Sequence, residues 1–275
     1  MTEHPDYMDK NNALFHKMHI STLRRYFGIV LYRTIAGIKS EARQNYLGYL
    51  WFLLDPLFST AILYLVYTHV TGRQSSQYVV FLLIGLISWQ WFEGSCMIGA
   101  ISIKMKYGVL SQFNLPKFIF PLVSILVNTW KFLCVFLVIL VAAAVLGFPP
   151  NPHFVYLPLL LLSQLFLIIG VTLPLSIGAT LMNDLLTAAS SVFRLLFFLS
   201  GTFFDPSIVP EQLKTVFYAN PMAVFMEAYR MVIIHNQAPD MSRLAVAITM
   251  SLGFLVLGLA LHAYYDKKIL KLTNI

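Results

Sequence analysis

An all-α integral membrane fold with six transmembrane helices follows from three observations. First, charge is scarce: 58% of the 275 residues are hydrophobic and 11% charged, with a mean hydropathy of +0.73. A soluble domain carries about 25% charged residues, and a chain this poor in charge could not cover a water-facing surface. Second, apolar runs of roughly 20 residues recur, the helical length that crosses a bilayer core. Third, no connection between those runs is long enough to hold a soluble domain.

Composition also narrows function. The net charge is +7, but Lys and Arg sit in particular loops, which reads as membrane orientation rather than nucleic-acid binding. Cys96 and Cys134 lie inside apolar runs and give neither a disulfide framework nor a thiolate metal site. The histidines are scattered, with none in H-E-x-x-H spacing, so no metal site and no catalytic group are expected. No cleavable signal peptide is expected at the start, because charges run through it.

Residues 1–47 read as a cytoplasmic N-terminal segment. Within it, Leu23, Phe27, Val30, Leu31, Ile35 and Ile38 recur at helical steps, with Arg24, Arg25, Arg33, Lys39 and Arg43 largely off that stripe. This amphipathic helix lies in the membrane interface or packs on a partner protein. Residues 48–275 hold the spans, expected at about 48–70, 78–98, 118–146, 154–181, 186–204 and 244–264. Thirteen Lys and Arg fall on the side of the termini and four on the other. That bias puts both termini in the cytoplasm, which an even number of spans also requires.

Between the fifth and sixth spans lies "SGTFFDPSIVPEQLKTVFYANPMAVF", too polar and proline-rich to cross, too apolar for a loose loop. Asp205-Pro206 stops the fifth span, Pro210 suits a helix start, and Asn220-Pro221 breaks that helix and caps the next. Glu227 and Arg230, three residues apart, share a face and can pair. Two helices too short to cross make a re-entrant hairpin over 205–235, on the outer side. It either lines a watery opening or lies on the outer leaflet.

Asp55, Glu93, Lys131 and Arg194 sit inside spans at similar depth. They suggest an inward polar cluster with Glu93–Lys131 and Asp55–Arg194 pairs, serving either helix register or a pathway. Tyr46, Tyr49, Trp51, Tyr264 and Tyr265 read as interfacial anchors. Phe193, Phe197 and Phe204, with Phe198 beside them, offer either packing bulk or an undemanding slide for sugar rings. The cytoplasmic connection near 101–117 carries Val109, Leu110 and Phe113 beside Lys104 and Lys106. It suits docking into a partner's groove, or lies at the bilayer surface.

In this order, "YLGYLWFLLDP" (46–56), "FLLIGLISWQWF" (81–92), "LSQFNLPKFIFPLVSILVN" (110–128) and "FFLSGTFFDPSIVPEQLKTVFYANPMAVFMEAYR" (197–230) resemble the permease subunit of the ABC-2 family. The subgroup most similar is the exporters of O-antigen, capsule and teichoic-acid polysaccharides. The resemblance implies a homodimer in the bacterial inner membrane, with a channel between the copies lined by spans one and five. On this reading, Trp51, Asp55, Glu93, Lys131, Phe193, Arg194, Phe197 and Phe204 belong to the path. It implies two ATP-binding subunits docked on a coupling helix at about Lys104–Phe113, and an outer gate at Pro206–Arg230. The cargo would be a lipid-linked polysaccharide. The chain has no G-x-x-x-x-G-K-[ST] loop, so ATP and Mg are expected on the partner and no cofactor on this chain. A drug or lipid exporter, or a membrane-embedded glycan transferase, remains the alternative.

Overall fold

The computed structural model describes residues 25–41, 50–71, 76–105, 115–182 and 184–272. Among them all regular structure is helical: α1 (25–41), α2 (Leu50–Thr71), α3 (Ser76–Met105), α4 (Ile119–Val145), α5 (Leu157–Leu181), α6 (Asp184–Leu199), α7 (Glu211–Tyr218), α8 (Pro221–Ile233) and α9 (Met241–Leu272). Single 3-10 turns precede α5 (Pro152–Tyr156) and α7 (Pro206–Ile208).

Among the described residues, four segments are long and apolar enough to cross a membrane: Ser76–Met105, Ile119–Val145, Pro152–Leu181 and Met241–Asp266. α2 has the length, 22 residues, with its apolar stretch at Leu57–Val66. α6 is shorter than the sequence predicts. Its 16 residues reach about 24 Å at 1.5 Å per residue, and it ends at Leu199 instead of near Phe204. The stop is Gly201, whose φ of +68° turns the chain into the left-handed region that a Cβ disfavours. Proline-206 is therefore not the residue that ends this helix. At the other extreme α3 runs on to Met105, so residues 101–105 continue it rather than open a new helix.

α3 is the central element, packed on α4, α5 and α8, with α2 and α6 on its flanks. Eighteen of its 30 residues are buried, which explains its even apolar composition: a helix covered all round has no polar face to show. The α3–α4 seam stacks Trp91 on Phe132 at 4.1 Å and adds the Asn128–Ser95 and Trp91–Thr129 hydrogen bonds. α5 and α9 make the most extensive helix pair. A Cβ on Gly170 would stand 2.5 Å from the backbone of Phe254 and Leu255, so that close approach needs a small residue, as helix pairs in membranes commonly do.

The C-terminal half of α1 runs beside α4, with Gly37 facing Val127 and Glu41 paired to Lys131. Its inner edge is Val30 and Thr34, while Phe27, Leu31 and Ile35 remain exposed. The predicted apolar stripe thus splits, one edge covered by the chain and one left open. Leu23, Arg24 and Arg43 lie outside the described residues.

Candidate functional site

The hairpin between α6 and α9 brings most of the chemistry together. Its second helix, α8, starts where Asn220 accepts a hydrogen bond from the Met222 amide at 3.0 Å, the cap that its place before Pro221 predicts. Ten of its 13 residues are buried, among α3, α5 and α9. At its C-terminal end Asn151 donates to the Val232 carbonyl at 2.9 Å, satisfying one of the carbonyls a helix end leaves open. Tyr229 donates to Gln164, which in turn donates to the Ser88 carbonyl, both at 3.0 Å. That buried chain joins α8, α5 and α3.

Glu227 and Arg230 do not pair with each other. Arg230, 2% exposed, donates to the carbonyls of Gly201 and Thr202, each at 2.7 Å, and to that of Phe81 at 3.4 Å. Its guanidinium lies 3.4 Å above the Phe81 ring, a cation–π contact strengthened by desolvation. The tight turn at Gly201 points two adjacent carbonyls inward, and a buried guanidinium with several donors answers both. Glu227 lies at the edge instead. It accepts from Tyr218 at 3.2 Å and from Arg243 at 3.5 Å, and Arg243 covers the Tyr218 ring at 3.9 Å. An i,i+3 spacing leaves side chains about 60° apart around a helix of 3.6 residues per turn. That is enough for one to face the core and the other its rim.

The first hairpin helix, α7, follows Pro210 and buries only Phe217. It separates two cavities. One, of about 840 Å³, is almost wholly apolar; Trp89, Phe92, Phe193, Phe204, Leu213 and Phe217 are among its walls. The other, of about 380 Å³, is polar, with Asp205, Lys214, Glu227, Arg230, Gln237 and Arg243 among its walls. Asp205 accepts from the Ser207 amide at 2.8 Å. Burial opposes its ionisation, but the Ser207 hydrogen bonds outweigh it and hold the carboxyl below its usual range.

The aromatic residues singled out in the sequence form a run of ring contacts. Phe193 meets Phe92 at 5.5 Å, and Phe197 meets Trp89 at 5.7 Å. Phe203 links Phe197 to Phe204 at 6.0 and 5.5 Å, and Phe204 meets Phe217 at 6.0 Å. Phe193 and Phe204 also face the apolar cavity.

Of the two pairs predicted among the intramembrane charges, Glu93–Lys131 does not form, and Asp55–Arg194 falls on a side chain outside the described residues. Lys131 pairs with Glu41, and Glu93 accepts from Trp89 at 2.7 Å, so the Glu93–Lys131 pair is absent. Arg194 is exposed on α6. Trp51 and Asp55 belong to α2, but their side chains lie outside the described residues, as do Lys106, Val109, Leu110 and Phe113. Lys104, at the end of α3, is exposed.

Several residues of the site escaped sequence reasoning. Lys117, just after the undescribed connection, has its amide 2.9 Å and its Nζ 3.5 Å from the carboxylate of Asp266 on α9. Arg243 and Tyr218 frame the polar cavity through partners 16 and 9 residues away along the chain. Only Asp240 could have been found from sequence, as an N-cap residue before α9: it accepts from the Ser242 amide at 3.0 Å, and its carboxylate lies 3.2 Å from Arg243 Nε.

A family model for ABC-2 type transporters matches residues 27–234, from α1 through the end of α8. Two Klebsiella pneumoniae proteins, each named O-antigen export system permease protein RfbA, are 27% and 24% identical over 205 residues, covering 74% of this chain and 79% of each relative. A Myxococcus xanthus protein of the same name is 25% identical over 238 residues, covering 86% of this chain and 92% of the relative. A multi-pass apolar helical chain and a family match over most of its length lead to one conclusion: the chain belongs to the ABC-2 type transporter family.

Proposed function

We propose that this chain is the permease subunit of an ATP-driven exporter that moves a lipid-linked polysaccharide across the bacterial inner membrane. The observation that carries the reading is the name shared by three relatives, O-antigen export system permease protein, over about three quarters or more of this chain. In this reading α2 and α6 complete six spans, with the loop after Gly201 finishing the short crossing of α6, and both termini are cytoplasmic. The working unit is a homodimer with two ATP-binding subunits. Support for the second copy comes from the open apolar faces of α2 and α6, where Phe58, Ile62, Leu65, Leu195 and Leu199 are exposed. Those faces, with Trp51, Asp55, Phe193, Arg194 and Phe197, border the channel.

The partner ATPase seats on the connection that includes Lys104, Lys106, Val109, Leu110 and Phe113. Its closure moves the connection and, through the Lys117–Asp266 contact, the end of α9. The hairpin from Asp205 to Arg230 is the re-entrant outer gate. A population shift of this kind needs contacts that differ between states, and α7, with its two flanking cavities, supplies a surface that can change them.

Deleting the chain and locating the polymer tests the function: cytoplasmic build-up of lipid-linked glycan is expected, and undiminished export refutes it. For the docking assignment, Phe113→Asp should abolish co-purification with the ATPase. The apolar cavity of about 840 Å³ favours one second reading, export of a lipid or apolar drug. Under that reading deletion sensitises cells to the compound and leaves surface polysaccharide unchanged.

A further inference from the structure

We infer that the polar cavity beneath α7 is a saccharide-binding subsite that takes one or two neutral sugar residues, a role that rests on the glycan-export reading. Its volume, about 380 Å³, falls in the range of small-molecule sites, roughly 300–1,000 Å³. Its walls carry both signs of charge: Asp205 and Glu227 against Lys214, Arg230 and Arg243. A strong anion entering here meets two carboxylates, and a strong cation meets three basic side chains. A neutral polyol meets neither penalty, since each hydroxyl can donate to a carboxylate oxygen and accept from an N–H.

Unused hydrogen-bonding capacity faces this space. Glu227 Oε2 and the side-chain amide of Gln237 have no hydrogen-bond partner among the described residues. The groups that do have partners are fixed in place. Three carbonyls hold Arg230, and Tyr218 and Arg243 hold Glu227. Donors and acceptors set in advance lose little freedom when a ligand arrives. The position also suits a sugar chain in transit. One face of α7 borders the apolar, ring-lined cavity and the other borders this polar one, so a glycan passing the hairpin meets aromatic surface and a hydrogen-bonding niche within one helix diameter.

The test uses the full chain with its ATPase in lipid nanodiscs and saturation-transfer NMR. The probes are methyl α-mannopyranoside, methyl β-galactopyranoside and N-acetylglucosamine, with phosphate and spermidine as charged competitors. At least one sugar should give a signal that drops about fivefold in Gln237→Ala, the loss of one hydrogen bond worth about 1 kcal/mol, and vanishes in Ser207→Trp, which fills the cavity mouth. Both side chains are exposed, and unchanged thermal unfolding confirms that each variant folds. If no sugar gives a signal sensitive to these variants, or if phosphate or spermidine abolishes it, the subsite is refuted. Deletion of the chain separates the two claims: undiminished export overturns the glycan-export reading, whereas lost export without sugar binding overturns the subsite alone.

Discussion

The two helices of the hairpin are built differently. α8 buries ten of its 13 residues and ties itself to α3 and α5 through Arg230, Tyr229 and Gln164. α7 buries one residue of eight and stands between two cavities. Buried contact density sets how readily a segment opens, so one half of the hairpin is anchored in the core and the other is free to shift. Asn220-Pro221 joins them, with Asn220 capping α8 and also donating to Ser200 at 2.7 Å. If the hairpin gates the passage, as proposed, α8 is its fixed post and α7 its moving leaf.

The sharpest way to break the contrast is to remove the post. Arg230→Ala leaves the Gly201 and Thr202 carbonyls buried without partners, at on the order of 3 kcal/mol. A large drop in melting temperature of the purified protein should accompany loss of export. Gly85→Ala reaches the same clamp from α3, because its Cβ would stand 2.5 Å from Arg230 Nη2 and 2.6 Å from the Thr202 carbonyl. The double variant should cost less than the two single costs added, since both act on one contact. Additive costs would separate Gly85 from the clamp.

Asp266→Asn comes next. It keeps an acceptor for the Lys117 amide but removes the charge beside a buried lysine, at about 2 kcal/mol. ATP hydrolysis should persist while export falls, which paired ATPase and transport assays would read. On α7, Val216→Ser touches an exposed position and should change stability by less than about 0.5 kcal/mol, yet alter export rate if α7 is the moving leaf.

The smallest effect is at Asp240. Its carboxyl is held below the usual range, first by the Ser242 side chain and further by the Ser242 and Arg243 amides. A lowered folded-state value stabilises above the unfolded value, about 3.9, and that contribution fades as pH falls through the folded value. The cap should therefore be flat in pH above about 5. Asp240→Asn should remove only the dependence seen in acid unfolding.

What the sequence made legible follows from what is local. The long apolar runs gave α3, α4, α5 and α9, and Asn220-Pro221 gave the start of α8. The partners of the charged residues were not legible, because they are distant in the chain. Arg230 binds carbonyls 28 and 29 residues away, exposed to it by a glycine turn that no spacing rule links to it. Lys131 likewise takes Glu41 on α1 over Glu93 on the neighbouring helix. Helix spacing reports which residues share a face; tertiary packing decides which of them face the core. The contrast in burial between α7 and α8 was not drawn from the sequence, where both read as helices too short to cross.

Hydrogen–deuterium exchange on the chain reconstituted with its ATPase tests the central claim most directly. Amides of α8 should stay protected with and without ATP, while those of α7 exchange fast and change with nucleotide. Equal protection of the two helices, or a nucleotide response carried by α8, would contradict it.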